Sequence, residues 1–288
     1  MRIQFQIKEK MLPLYEIERK QDILIIGGIE VLIKSILSIP HISLEINGIG
    51  TKIATHLKKM GIFPVIFDFL GNDEFFDLVN KYFEQKEINL FFARQPYGTK
   101  RVLKILDNNE EKVYKDFKNI EKLNYNFTLN ALSEIYNNVR SVYLILPHWD
   151  NNLARNIKLM GKFLFLDFEE SIHIPENKEI FGDFVFTNEN TLLPDNIHYI
   201  YKTTFLNNGN ILFSFSKEIW EIEPFSDKRI SKFEAKCAFK SAIINALFDG
   251  KSLKDALLIA NIAYSYALDN NGKMISKNKL FEEYYRRK

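Results

Sequence analysis

The chemistry of this chain could lie in four adjacent residues, Glu234, Ala235, Lys236 and Cys237. They stand at the start of a predicted helix, where the first backbone N–H groups lack partners and the helix dipole is positive, so the position suits an anion. Cys237 is the only cysteine in the chain, and a thiol at a helix N-terminus can have a lowered pKa. A reactive Cys237 and a small buried apolar Cys237 are therefore both open, although burial is the commoner outcome.

Two consecutive predicted helices position these residues. In the first, apolar residues recur at the spacing of one buried stripe, namely Phe239, Ala242, Ile243, Ala246 and Leu247. Gly250 follows this helix, and Ser252 with Asp255 forms a capping box that opens the second. The second helix carries small residues on one stripe, which lets a neighbouring backbone approach closely: Ala256, Ala260, Ala263 and Ala267.

Residues 238–263, with the sequence AFKSAIINALFDGKSLKDALLIANIA, resemble the carboxyl-terminal signature of the ribokinase-like (PfkB-type) carbohydrate and nucleoside kinases. In that family, a Gly-Ala-Gly-Asp motif opens the helix. Its glycines let backbone N–H groups surround the transferred phosphate, and its Asp takes the proton from the substrate hydroxyl. An ungapped count from Gly250 puts Glu234, Ala235 and Lys236 at the anion-hole positions and Cys237 at the position of the base. The resemblance thus implies a retained scaffold with changed chemistry.

The same resemblance covers the substrate side of the implied site. Residues 22–32, DILIIGGIEVL, form a continuous apolar run ending in Gly27-Gly28, as expected of a parallel strand buried on both faces. Leu32 replaces a sugar-holding Asp of the family, and Glu30 stands at a nearby Asn position. In the next block Gly48 and Gly50 are kept, whereas Lys52 replaces the Asn that contacts substrate. These substrate-pocket positions have simpler explanations: a solvated or lid-facing carboxylate at Glu30, and a tight turn at the two glycines.

Residues 183–191, DFVFTNENT, resemble the family segment that ends in Asn-x-x-Glu and organises Mg²⁺ through water. Asn188 is kept, but Thr191 replaces the Glu, and a neutral hydroxyl lacks the negative charge that a hard cation prefers. Glu189 could substitute, although a solvent-facing Glu after a strand is the simpler interpretation. By resemblance the cofactors would be ATP and Mg²⁺.

Three further residues are implied to lie near the nucleotide. Thr204 and Gly209 match a family loop in which Leu206 replaces the first glycine, and Asn261 lies near the position that the family gives to adenine.

His148 follows a predicted strand at its carboxyl end, where ligands of α/β sheets bind. A structural or solvated His148 is the simpler interpretation.

Composition excludes several classes of protein. The chain has 288 residues, of which 46% are hydrophobic, and a net charge of +2 that gives no argument for nucleic acid or an acidic membrane as partner. One cysteine rules out an internal disulfide framework, and the five histidines show no paired spacing for a metal site. Neither a transmembrane run nor a signal peptide is recognisable, which favours the cytoplasm.

Short apolar strands alternate with helices, as in a parallel sheet with crossover helices. With the resemblance, they predict an α/β, ribokinase-like three-layer sandwich with a mostly parallel central sheet and a small β lid. Residues 1–20 would be an N-terminal extension and residues 21–288 the domain, with lid segments at about 30–46 and 96–118. Three aromatic residues of the second segment could cover a ligand or pack across strands: Tyr97, Tyr114 and Phe117.

The leading hypothesis is a ribokinase-like pseudokinase, because the changes fall at the base, anion-hole, Mg²⁺ and sugar positions while the turns and packing positions survive. It would have little or no phosphoryl transfer and could bind a nucleotide or small metabolite. One alternative is an active ATP-dependent sugar or nucleoside kinase with Lys236, Glu234 or Glu189 in new roles. Another is a structural or regulatory subunit that binds no small ligand and forms a homodimer through the lid.

Overall fold

A computed structural model of the chain describes residues 21–38, 41–96, 98–107, 110–116, 125–145, 151–168, 179–193, 195–228 and 232–288. These residues form an α/β structure with two β-sheets. The predictions for residues 1–20, Tyr97, Phe117 and His148 lie outside the described residues.

The described residues form thirteen strands, which are β1 (Ile23–Ile26), β2 (Glu30–Ile36), β3 (His41–Asn47), β4 (Pro64–Leu70), β5 (Asn89–Arg94), β6 (Arg101–Asp107), β7 (Glu110–Asp116), β8 (Ser141–Ile145), β9 (Phe163–Asp167), β10 (Ile180–Asn188), β11 (Ile197–Phe205), β12 (Ile211–Phe215) and β13 (Glu218–Ile222). They form seven helices, which are α1 (Ile49–Lys59), α2 (Glu74–Gln85), α3 (Tyr125–Asn138), α4 (Asn151–Leu159), α5 (Phe233–Phe248), α6 (Leu253–Asp269) and α7 (Lys277–Arg287).

The large sheet has nine strands in the order β13-β12-β11-β10-β9-β8-β1-β4-β5. Every pairing from β11 to β5 is parallel, and only β12 and β13 at one edge are antiparallel. The predicted mostly parallel central sheet is therefore confirmed. Strand β1 lies near its middle and is buried along its whole length, as the continuous apolar run of residues 22–32 predicted.

Helices cover both faces of this sheet. Alternate residues of β1 point to opposite sides, so that Ile23 and Ile25 join one core and Leu24 and Ile26 join the other. The first core also contains residues of α1, α2, α5, α6 and α7, and the second contains residues of α3 and α4. This arrangement gives the three predicted layers.

The two carboxyl-terminal helices match their sequence signals. The four alanines of the α6 stripe are fully buried, and the Ser252 side chain accepts a hydrogen bond from the Asp255 N–H at 3.2 Å, as a cap requires. Helix α7 has no counterpart among the predicted elements, although its buried Leu280 and Tyr284 are four residues apart. Within the described residues, no helix is long and apolar enough to cross a membrane.

The sequence from Asp77 to Lys86 predicts a helix with Leu78, Tyr82 and Phe83 on one face. Helix α2 begins three residues earlier, at Glu74. Asp73 has an extended backbone at the N-cap, and both Glu74 and Asp77 lie in the first turn, where the helix dipole favours negative charge.

A small sheet is formed by β2, β3, β6 and β7, in the order β3-β2-β6-β7. Its four strands fall at residues 30–47 and 101–116, close to the two predicted lid segments. The alternating sequence of residues 98–117 on both sides of residues 107–109 predicts a β-hairpin, and strands β6 and β7 pair antiparallel accordingly. The role of this small sheet as a lid remains a prediction.

Candidate functional site

The candidate site lies where the carboxyl ends of the parallel strands meet helix α5. Asp167 ends β9 and Asn188 ends β10, and each accepts a hydrogen bond from a lysine of α5. Ligands of open α/β sheets bind outside these strand ends. The residues at this edge are therefore the ones whose chemistry decides the function.

Helix α5 begins at Phe233, with Lys232 as its N-cap. All four positions implied by the resemblance thus lie inside the helix rather than before it. The Lys236 N–H already donates to the Lys232 carbonyl at 3.1 Å, as the first bond of the helical ladder. The Cys237 N–H falls within the same ladder, so the backbone groups at these two positions are used by the helix itself.

Cys237 is buried, with 1% of its surface exposed, and belongs to the first hydrophobic core. Its carbonyl oxygen accepts a hydrogen bond from the Ser241 hydroxyl at 2.8 Å. A side chain in this position packs as a small apolar group.

His56 on α1 lies against this part of α5 and is a site residue that the sequence predictions missed. Burial, followed by the positive charges of Lys59 and Lys52, lowers its pKa from 6.5 to about 3, and a hydrogen bond with the Cys237 backbone opposes the shift. The ring is therefore neutral at physiological pH. Its helical spacing from Ile49 and Ile53, both buried, was the signal that it faces inward.

Glu234 lies beside the loop between α6 and α7. It is partly buried, and its side chain packs on Gly272 in the loop after α6, where a methyl group added to Gly272 would lie 2.7 Å from the Glu234 Cβ. Ala235 is fully buried in the core. The carboxylate of Glu234 is thus next to the α6–α7 loop, three residues before Cys237 in the helix.

Lys236 and Asn188 are brought together by the fold. The ammonium of Lys236 donates to the Asn188 side-chain oxygen at 2.5 Å and lies 5.6 Å from the centre of the Phe205 ring. Both side chains are only partly buried. The amide oxygen that the resemblance assigns to Mg²⁺ organisation is therefore bonded to a fixed positive charge.

Lys240, one helical turn after Lys236, forms a second pair that the sequence predictions missed. Its ammonium lies 2.6 Å from the Asp167 carboxylate, and both side chains are fully buried. The Tyr143 hydroxyl donates to the same carboxylate oxygen. The rings of Phe186 and Phe205 each lie 5.6 Å from the ammonium, which places the pair inside an aromatic enclosure.

Close backbone packing explains why Gly48 and Gly50 are glycines. The loop after β1 lies against the start of α1, and the Thr51 N–H donates to the Gly28 carbonyl at 3.2 Å. A methyl group on Gly50 would lie 2.1 Å from the Gly27 oxygen, and one on Gly48 would lie 2.3 Å from the Gly28 oxygen. These positions require glycine whether or not a ligand binds.

The other substrate-pocket candidates lie beside this contact. Glu30 is buried at the start of β2, with its γ carbon 3.1 Å from the place of a methyl group on Gly48. Lys52 is partly buried on α1, one turn before His56. Leu32, at the position of the family's sugar-holding Asp, is buried.

A buried ion pair at the base of the small sheet was also missed. Asp68 on β4 accepts hydrogen bonds from the Ile29 N–H at 2.8 Å and from the Lys100 ammonium at 2.9 Å. Ile29 precedes β2 and Lys100 precedes β6, so one carboxylate fixes the points at which the chain passes into these two strands of the small sheet.

The candidates for nucleotide binding each have a contact within the chain. The hydroxyl of Thr204 lies 3.0 Å from that of Thr187, and the Gly209 N–H donates to the Leu206 carbonyl in the turn between β11 and β12. The Asn261 amide donates to the Glu223 carbonyl at 2.8 Å, which ties α6 to the segment after β13.

No family model matches this chain, and no curated protein is similar to it in sequence. Solved structures do match. A microbiome-derived acarbose kinase has a TM-score of 0.77 at 14% identity, over 92% of this chain and 99% of its own. A ribokinase from Thermotoga maritima has a TM-score of 0.68 at 17% identity, over 92% and 99%. A ribokinase from Arabidopsis thaliana, solved with ribose and ATP, has a TM-score of 0.71 at 13% identity, over 92% and 98%.

The chain has the ribokinase fold. The predicted resemblance is thereby confirmed at the level of fold, and identities this low leave the activity to be argued from the site.

Magnesium, which the resemblance implies for the ribokinase fold, does not fit the residues at this edge. The Asn188 oxygen is bonded to Lys236, and the Thr191 hydroxyl accepts from the Asn188 N–H at 3.4 Å. The exposed Glu189 accepts from the Asn207 N–H at 2.8 Å. Among the described residues, no group of three or more His, Cys, Asp or Glu side chains could hold a metal ion.

Proposed function

We propose that this protein is a cytoplasmic ribokinase-like pseudokinase, with little or no phosphoryl transfer and with retained binding of a nucleotide. The observation that carries the proposal is the burial of Cys237, which stands at the position of the family's base and is 1% exposed. Phosphoryl transfer depends almost wholly on positioning and electrostatics. The loss of a positioned base alone typically lowers the rate by about 10²- to 10⁴-fold.

The helical backbone around Cys237 supports the same proposal. A phosphate can be held by N–H groups only where the helix leaves them unpaired. At Lys236 the N–H is bonded within α5, and the side chains of Glu234 and Lys236 replace glycines whose bare backbone could touch a phosphate. The backbone of the anion hole is therefore closed at Lys236, and side chains stand where the family has bare glycine at Glu234 and Lys236.

Among the described residues, three carboxylates near this edge have contacts with other parts of the chain. Asp167 is paired with Lys240, Glu234 packs on Gly272, and Glu189 holds the Asn207 N–H. On the substrate side, Leu32 cannot accept a hydrogen bond from a sugar hydroxyl. These contacts argue against the alternative of an active kinase with a rearranged site.

Nucleotide binding is proposed because the edge keeps positive charge where the fold's kinases place phosphate. The solved ribokinase from Arabidopsis thaliana carries ribose and ATP. In this chain Lys236 is partly buried rather than sealed in the core. Sugars, nucleosides and phosphorylated metabolites are the next classes of ligand to screen.

The test of catalysis is a turnover screen. With ATP, Mg²⁺ and a panel of sugars and nucleosides, we expect the release of ADP by the purified protein to equal that of a Lys236→Met variant. The reason is that neither protein has a positioned base. Turnover above this background that is lost in Lys236→Met or Cys237→Ala would support the active kinase and overturn the proposal.

We further propose that the protein forms a homodimer through the small sheet. The strand register places one residue from each strand in an apolar row on the same face, in the order Leu44, Ile33, Leu103 and Tyr114. Leu44 is 46% exposed and Tyr114 is 56% exposed. On the same face of β7, Lys112 and Asp116 flank Tyr114, so a two-fold axis through Tyr114 would bring each Lys112 near the other copy's Asp116.

Sedimentation velocity tests this dimer with a matched pair of variants. Leu44→Glu puts a charge on the apolar face, whereas Val113→Glu puts one on the opposite face at a site that is 45% exposed. We expect Leu44→Glu to be monomeric and Val113→Glu to be dimeric like the wild type, because an unpaired charge in an interface is costly. A monomeric wild type, or equal dissociation by both variants, would refute the proposed interface.

A further inference from the structure

Two lysines of α5 hold the oxygen-bearing side chains at the ends of β9 and β10. Lys240 is bonded to Asp167 in the core, and Lys236 is bonded to Asn188 near the surface. The two lysines are four residues apart and therefore lie on one face of the helix. Both ammonium groups lie 5.6 Å from the centre of the Phe205 ring, so the two pairs share one aromatic neighbour.

This arrangement disfavours a divalent cation at the edge. Mg²⁺ needs octahedral oxygen ligands, and it is usually held by one or two carboxylates together with substrate phosphates. Here Asp167 is fully buried with its ammonium partner, and the Asn188 oxygen already accepts a hydrogen bond from Lys236. A cation that approached Asn188 would meet an ammonium group at hydrogen-bond distance from the same oxygen, and like charges at that range repel.

The charge of Lys236 favours a polyphosphate. Lysine binds phosphate as a point charge, and the ammonium of Lys236 is placed by Asn188 before any ligand arrives. A preorganised charge loses little entropy on binding. Mg²⁺ normally neutralises part of the charge of a nucleotide, and Lys236 supplies positive charge at this edge from the chain itself.

We propose that this protein binds nucleoside polyphosphates without a divalent cation, with the Lys236 ammonium held by Asn188 in contact with the phosphates. The proposal rests on the nucleotide binding put forward above and adds that the bound species is the free nucleotide. In a Mg²⁺-dependent kinase the metal ion neutralises part of the nucleotide charge, whereas in this chain the Lys236 ammonium would do so.

The experiment measures the affinity of the purified full chain for ATP by isothermal titration calorimetry, first in excess EDTA and then in excess MgCl₂. We expect the dissociation constant in EDTA to be equal to or lower than that in MgCl₂. ADP and inorganic tripolyphosphate are titrated in parallel to separate recognition of the nucleoside from recognition of phosphate alone. Tripolyphosphate binding as tight as ATP binding would overturn the nucleoside part of the proposal.

Variants locate the effect. Lys236→Met is expected to weaken ATP binding in EDTA by about tenfold or more, the order of one charged hydrogen bond. Lys254→Met, which removes the same charge from an exposed position on α6, is the control and is expected to leave the affinity unchanged. Equal weakening by both variants would show that net charge rather than Lys236 is responsible, and would overturn the proposal.

The outcomes of the wild-type titrations do not depend on the folding of any variant. ATP binding that requires MgCl₂ would overturn this inference and leave the proposed nucleotide binding intact. A lack of ATP binding in both buffers, with the protein folded by circular dichroism, would overturn both.

Discussion

Replacing Lys240 with methionine is expected to lower the free energy of unfolding by about 3–5 kcal/mol. The ammonium of Lys240 lies 2.6 Å from the Asp167 carboxylate, and both side chains are fully buried. Removing one partner leaves a charge in a region that water does not reach, whereas the Tyr143 hydroxyl supplies a hydrogen bond and no compensating charge. Urea unfolding monitored by circular dichroism measures the loss.

An exposed pair is the matched control for this substitution. Lys104→Met breaks the ion pair with Glu111 on the small sheet, where both side chains are about a third or more exposed. Its cost is expected to stay within about 1 kcal/mol, since solvent screens such pairs. If Lys240→Met costs no more than Lys104→Met, the buried pair contributes nothing that a surface pair does not.

A triple replacement separates the cost of losing the ion pair from the cost of leaving one buried charge without a partner. Lys240→Met with Asp167→Leu removes both charges, and adding Tyr143→Phe removes the hydroxyl that would lose its acceptor. Buried ion pairs replaced by apolar residues of similar volume are often neutral in stability. We therefore expect the triple variant to regain most of the stability that Lys240→Met loses.

His56 is expected to make the protein sensitive to acid. Burial lowers its pKa from 6.5 to about 3, so between these values the unfolded chain binds a proton that the folded chain does not. The free energy of unfolding therefore falls as the pH drops below 6.5, by about 1.4 kcal/mol per pH unit. Between roughly pH 8 and pH 4.5 the contribution of His56 is about 2.7 kcal/mol.

The measurement compares urea unfolding at these two pH values for the wild type and a His56→Leu variant. The variant is expected to lose about 2.7 kcal/mol less than the wild type, while its lost hydrogen bond to Cys237 shifts both values equally. His198→Gln is the control, because the His198 side chain is 48% exposed and its ring meets water. An equal pH dependence in the wild type and His56→Leu would contradict the assignment.

Lys240 and His56 both lie in the region on which the proposed function depends, the contact of α1 with α5, which is called the seam below. His56, Cys237 and Lys240 lie where α1 and α5 pack over the strand ends, and their side chains contact the protein interior. An active kinase would be expected to leave a reactive group of this seam open to its substrate. Here burial and internal pairing serve stability, while Lys236 keeps a charge near the surface.

Much of the fold could be predicted from the sequence because its signals are local. The apolar run that ends in Gly27-Gly28 predicted the buried strand β1. Short apolar runs at residues 163–167 and 211–215 predict two further strands, and these are the bounds of β9 and β12. Ser252 and Asp255 form the predicted cap of α6. Periodicity and capping depend on residues a few positions apart, so they can be read without knowing the fold.

The sequence by itself also determined which residue types stand at the positions implied by the resemblance, including Cys237, Lys236 and Asn188. Only the tertiary structure decided what these side chains contact. Lys236 meets Asn188 across 48 residues, and Lys240 meets Asp167 across 73. Neither sequence separation follows from a local helix or strand period, because a side chain's partner across the sheet depends on strand order and helix placement. The burial of Cys237 and the burial that keeps His56 neutral have the same origin, since both arise only when α1 packs on α5.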